Sequence, residues 1–90
     1  MNQVAITVIG RDACHLCDEA LPIVEEVVAA FSNVSLGKAK VVDQPGWLEL
    51  YSDKVPVVLI DSVEQCHWHV QYEALREAVL RAGGLLLAQD

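Results

Sequence analysis

The sequence lacks any hydrophobic run approaching the roughly 18–20 residues that a bilayer-spanning helix requires. Its longest stretch of that kind, Val55 to Ile60, is only strand-length, so a membrane protein is not expected. Basic residues are scarce: 6 Lys and Arg stand against 13 Asp and Glu, for a formal net charge of −7. An acidic surface repels phosphate backbones, so nucleic acid is not an expected partner. No basic segment precedes the first apolar run and no small-residue cleavage site follows it, so the chain is expected in the cytoplasm. Internal repeats, linkers and low-complexity tracts are missing too. The 90 residues have room for one domain, expected over 1–90. A hydrophobic fraction of 53% is too high for a disordered chain.

Cysteine is sparse and odd in number: Cys14, Cys17 and Cys66. An odd count does not describe a secreted disulfide framework. Cys14-His15-Leu16-Cys17 has the Cys-X-X-Cys spacing, which serves either as a redox dithiol or as half of a zinc site. A second Cys-X-X-Cys is missing, which favours the redox use.

Val4-Ala5-Ile6-Thr7-Val8-Ile9 is β-branched and apolar on both faces, as a buried central strand requires. Gly10 to Ala13 reads as a loop. From His15 to Phe31, Leu21, Val24, Val28 and Phe31 recur at helical spacing, with Asp18, Glu19, Glu25 and Glu26 largely opposite. Val34 to Val42 reads as a second strand in which Gly37 marks a bulge. Asp43 to Gly46 opens a short helix carrying Trp47, Leu50 and Tyr51. Val55 to Ile60 is the third strand, Asp61-Ser62 a two-residue hairpin turn, and Val63 to His69 an antiparallel fourth strand. Gln71 to Ala82 forms a last helix with Tyr72, Leu75 and Val79 inward, stopped by Gly83-Gly84, and Leu85 to Leu87 fold back as packing. The order is β-α-β-α-β-β-α. The first three strands are joined through helices and are expected to be parallel.

A thiol is a poor nucleophile until it ionises, and the unpaired N–H groups and dipole at a helix N-terminus favour the thiolate. The pattern places Cys14 there, pointing outward, with Cys17 one helical turn deeper. Cys14 is thus the candidate nucleophile and Cys17 the resolving thiol. Arg11 and His15 favour the thiolate by charge; Asp12, Asp18 and Glu19 oppose it.

Cys-X-X-Cys after a first buried strand, with Val55-Pro56 opening the third, resembles the thioredoxin fold, and most closely its small glutaredoxin-like members. Pro22 and the run to Val27 look like the proline-kinked active-site helix of thioredoxins, since Pro22 removes an internal helix bond. The resemblance implies a thioredoxin-like α/β fold, a four-stranded mixed sheet with helices on both faces. It implies a thiol-disulfide oxidoreductase acting on protein disulfides or glutathione mixed disulfides, reset by an external reductant. No organic cofactor or metal is needed, with glutathione as possible co-substrate. In the family the proline matching Pro56 is cis and faces the dithiol, and the backbone of the residue matching Val55 pairs with the substrate. Arg11 stands where many glutaredoxins carry a lysine for the glycine carboxylate of glutathione. With His15, these residues make up the expected substrate-binding set. The chain departs from the family in three places. Cys66 to Gln71 has no glycine where glutaredoxins carry a Gly-Gly-X-Asp-like turn. Ala13 replaces the tryptophan of thioredoxins, and His-Leu between the cysteines is neither family's usual pair.

Two other functions fit some of the residues. Heavy-metal carriers also put Cys-X-X-Cys between a first strand and helix, but carry Met where this chain has Asp12, and their elements run β-α-β-β-α-β. Some glutaredoxins bind an iron–sulfur cluster through their first cysteine and glutathione. The other function is a thioredoxin-fold module that binds protein and does no chemistry. Cys66, His67 and His69 are metal-ligating types, but strand alternation puts Cys66 and Trp68 on one face and both histidines on the other. Cys66 beside Trp68 in the core, with solvated histidines, is the expected arrangement. A monomer is expected.

Overall fold

The computed structural model describes residues 3–87. Its elements run β1 (Val4–Gly10), α1 (His15–Ala29), β2 (Val34–Lys40), α2 (Trp47–Tyr51), β3 (Val57–Ile60), β4 (Val63–His67) and α3 (Tyr72–Arg81). The strands form one mixed sheet in the order β2-β1-β3-β4. Alternation along the two central strands builds a core on each face. Val4, Ile6 and Val8 join Val58 and Ile60 under α1 and α3. Ile9, Val57 and Leu59 face the other way with Val41 and Val55, where Trp47 and Tyr51 of α2 cover them. This is the thioredoxin-like α/β arrangement, with helices on both faces.

Both long helices bury one stripe. In α1 the buried residues are Ala20, Val24 and Val27, continued by Phe31, while Leu21 and Val28 sit half-buried at the flanks. The stripe is therefore rotated by about one residue from the one expected. Leu75, Ala78 and Val79 hold α3 to the same core, with Tyr72 packed against it. Buried Asn33 ties the C-terminal segment down: its Nδ2 donates to the Gly83 carbonyl at 3.0 Å and its Oδ1 accepts from Leu85 N–H at 2.7 Å.

The three strands expected to be parallel are not all so. β2 is parallel to β1, but β3 is antiparallel to it. The connection from Val41 to Pro56, with the short α2 in it, stays at the end where β2 finishes and packs on the second core face, and β3 runs back from there. Gly37 pairs with Thr7 in unbroken register, so no bulge lies in β2. The irregularity is in the hairpin instead, where Val58 pairs with Cys66 but Leu59 with Glu64, leaving Gln65 as the extra residue. Asp61 and Ser62 both have positive φ (49° and 70°), the geometry of the tight hairpin turn expected there.

β4 stops at His67 because Trp68 turns left-handed at φ 63°. Trp68 is consequently not in the core beside Cys66 but 49% exposed. Leu85 to Leu87 do fold back: Ser32 N–H donates to Leu85 C=O at 2.8 Å and Leu87 N–H to Ala30 C=O at 2.9 Å. Their side chains stay substantially exposed, so the attachment is through the backbone.

Candidate active site

Gly10 ends β1, and Arg11 to Ala13 turn the chain into α1. Ala13 is left-handed (φ 54°), an unfavourable conformation for a residue with a Cβ, and it delivers Cys14 to the N-cap of α1. Cys14 and Cys17 are joined by a disulfide, their Cα atoms 5.2 Å apart. The Cys17 N–H donates to Cys14 Sγ at 3.1 Å, so the sulfur takes the place of a capping oxygen. The same N–H and the helix dipole favour negative charge on that sulfur once the disulfide opens.

The two sulfurs have different surroundings. Cys14 does not point outward: it is 6% exposed and packs with Ile9, Val55 and Val57 on the α2 face. Cys17 is half-buried and also lines an open groove of about 540 Å³ between α1 and β2, with Leu21 and Lys38 among its walls. Gly10 lies directly under Cys17; a Cβ there would stand 3.2 Å from its Sγ.

The Val55–Pro56 peptide bond is cis, and both residues are buried. Val55 shares the apolar cluster of Cys14, which brings the Val-Pro strand and the Cys-X-X-Cys together. Among the described residues, neither the N–H nor the C=O of Val55 makes a backbone hydrogen bond. Trp68 holds this loop: its N–H donates to Pro56 C=O at 3.0 Å, and its indole Nε1 to Asp53 C=O at 2.8 Å. Sequence reasoning missed this role, because nothing in Cys66-His67-Trp68-His69 signals a contact with residues 15 and 12 positions earlier. The tryptophan lies where the resemblance leads one to expect a glycine-rich turn.

Of the other expected residues, Arg11 is exposed, lines the Cys17 groove and reaches the Ser52 carbonyl at 3.4 Å. His15 turns to Glu19, its Nε2 3.1 Å from a carboxylate oxygen. Asp12 pairs with Lys40 at 2.8 Å; the hydrogen bond and the charge of Lys40 lower the Asp12 pKa, and Asp12 raises that of Lys40. Lys40 and Lys38 were not singled out by sequence; only the register Gly10↔Lys40 and Val8↔Lys38 brings them beside the dithiol.

Cys66 is half-buried against the α1–α3 core, and burial, followed by the charge of Glu64, raises its thiol pKa. His67 is half-buried, its Nδ1 3.3 Å from Glu64 and its ring in edge contact with Trp68 at 4.8 Å; His69 is exposed. Among the described residues, no cluster of three or more His, Cys, Asp or Glu is arranged to hold a metal. No helix among them is long and apolar enough to cross a membrane.

Solved structures resemble this fold over most of the chain. Protein Ne2328 from Nitrosomonas europaea matches with a TM-score of 0.71 at 22% identity, covering 87% of this chain and 93% of its own. A structural-genomics target from X. campestris matches at 0.68 and 24% identity, covering 84% and 96%. A thioredoxin variant from Halobacterium salinarum matches at 0.63 and 21% identity, covering 96% and 80%. Comparison with curated proteins gives no match. Residues 5–80 match the family model described as glutaredoxin-like domain (DUF836). With its thioredoxin-like fold and its paired Cys14 and Cys17, the chain belongs to this glutaredoxin-like family.

Proposed function

We propose that this protein is a thiol-disulfide oxidoreductase that reduces protein disulfides or glutathione mixed disulfides through Cys14 and Cys17. The observation that carries the reading is the Cys14–Cys17 pair at the N-terminus of a 15-residue helix, packed against the cis Val55–Pro56 loop. In the reduced protein, Cys14 thiolate attacks one sulfur of the substrate disulfide. A Cys14–substrate bond forms, and the other substrate sulfur leaves as thiolate. Cys17 thiolate then attacks Cys14 Sγ, releases the second substrate thiolate and closes the Cys14–Cys17 disulfide. An external thiol reductant returns two electrons and completes the cycle.

The unpaired backbone of Val55 supports an extended substrate segment that docks along the loop, as in β-strand addition. Arg11 is the cation closest in sequence to the dithiol and suits a substrate carboxylate, such as that of glutathione. His15, engaged with Glu19, contributes at most charge to the rim.

Turnover of a disulfide-bonded peptide and of a glutathione mixed disulfide tests this. Cys14→Ser is expected to abolish turnover, and Cys17→Ser to accumulate a mixed disulfide on Cys14. Full turnover by Cys14→Ser, or none by the unmodified protein on either substrate, overturns the proposal.

A further inference from the structure

The residue that follows β4 holds an unfavourable backbone conformation, and its side chain gains little from burial. Trp68 stands at φ 63°, and the His69 N–H closes onto the His67 carbonyl at 2.8 Å around it, which is the rare, strained form of the three-residue γ-turn. A residue with a Cβ keeps such a conformation only where its surroundings hold it. The ring is 49% exposed, so core packing accounts for little of this. Hydrogen bonds to one stretch of backbone account for more. The Trp68 N–H is shared between the carbonyls of Lys54 at 3.3 Å and Pro56 at 3.0 Å, and the indole Nε1–H reaches that of Asp53 at 2.8 Å. One residue thus grips the chain on both sides of Val55.

That grip sets the direction of the Val55 backbone. The Lys54–Val55 peptide bond is trans, so its C=O and N–H point opposite ways. With the Lys54 carbonyl turned to Trp68, the Val55 N–H is turned away from it. Neither that N–H nor the Val55 C=O makes a backbone hydrogen bond among the described residues. We infer that Trp68 is a positioning residue for substrates with a peptide backbone. Its two N–H groups hold Asp53 to Pro56 so that Val55 N–H and C=O are set to pair with an extended segment beside the disulfide under attack. The inference rests on the proposed redox cycle and adds to it a residue that acts through Val55. Pairing along an extended segment needs both Val55 groups in one orientation, and ordering a loose loop at the moment of docking costs affinity. The sulfur exchange itself is left to Cys14, Cys17 and the cap on α1, so Trp68 governs docking and not chemistry.

The test follows single-turnover oxidation of the reduced full chain by two disulfides. One is a disulfide-bonded peptide with extended flanks; the other is 2-hydroxyethyl disulfide, which has no peptide backbone to pair. Trp68→Phe keeps a ring and removes the indole N–H. It is expected to raise the half-saturating peptide concentration about threefold to tenfold, the effect of one lost hydrogen bond, with the limiting rate unchanged. The rate with 2-hydroxyethyl disulfide and the Cys14–Cys17 reduction potential are expected to stay as they were. Trp68→Gly, which adopts the left-handed turn without strain, is expected to shift the peptide in the same way and serves where Trp68→Phe does not fold. An unchanged half-saturating concentration in both variants, or equal slowing with both disulfides, overturns the positioning role and leaves the redox cycle standing. If neither disulfide oxidises the unmodified protein, the redox cycle and the positioning role fall together.

Discussion

Gly10 and Ala13 bracket the turn into α1 and set the geometry of both sulfurs. A methyl group on Gly10 would sit 3.2 Å from Cys17 Sγ, closer than side-chain carbons normally come, so the sulfur must shift off its preferred rotamer. The disulfide fixes that sulfur, whereas a free thiol can rotate away. Gly10→Ala is therefore expected to cost about 0.5–1.5 kcal/mol in the oxidised protein and less in the reduced one. Melting curves of the two forms check this, and equal losses would contradict it. Ala13 at φ 54° shows the opposite situation, since removal of its Cβ relieves a left-handed conformation. Ala13→Gly is expected to stabilise by about 1 kcal/mol in urea titration, less what glycine adds to the freedom of the unfolded chain. Cys66 is inert by comparison. Its pKa is raised first by burial and then by Glu64, so the unfolded thiol ionises at lower pH than the folded one. Its contribution to stability is unchanged well below the usual thiol range of about 8.5 and is lost as pH rises through that range towards the higher folded value. Slower alkylation of Cys66 at pH 8 in the folded protein than in urea is the accompanying measurement.

At the scale of elements, the joint between α1, β1 and the C-terminal segment depends on Asn33, the one buried polar side chain among the described residues. Asn33→Ala removes a donor to Gly83 and an acceptor from Leu85, and is expected to destabilise by about 2 kcal/mol. Thermal unfolding measures this, and an unchanged Tm would contradict it. The elements themselves were largely legible in the residues. The β-branched run in β1, the 3–4 spacing in α1 and α3 and the Asp61-Ser62 turn each state a local preference that the fold keeps. Strand direction was not legible, because the connection from Val41 to Pro56 is long enough for either direction, and the outcome depends on how α2 packs against the sheet. The extra residue of the hairpin was likewise hidden. Gln65 has nothing of the glycine signal that wrongly pointed to Gly37, and the register shift arises from pairing across two strands.

For the whole molecule, the dithiol sits where the two cores meet: Cys14 is buried in the α2-face cluster, and Cys17 packs half-buried against the same cluster while lining the groove beside α1. Closure at the far end is tight. A Cβ on Gly84 would stand 2.6 Å from Val79 Cγ1 and 2.9 Å from the Phe31 ring, so Gly84→Ala is expected to cost about 1–3 kcal/mol by overpacking, read as a lower Tm. Cys14, Cys17, Val55 and Pro56 could be named from sequence because their spacing and order carry the family pattern. Trp68 as the anchor of the Val-Pro loop and Lys38 as a wall of the Cys17 groove could not, since each reaches the site only through folding. The central claim is that Cys14 and Cys17 form a reversible redox pair. It is tested most directly by titrating the protein through defined dithiothreitol ratios, tagging free thiols and locating the tags by mass spectrometry. A single two-electron transition confined to Cys14 and Cys17, in the range of roughly −270 to −180 mV typical of oxidoreductases, is the expected result. Thiols that stay free under all but harsh oxidation, or that copurify with a metal, would contradict it.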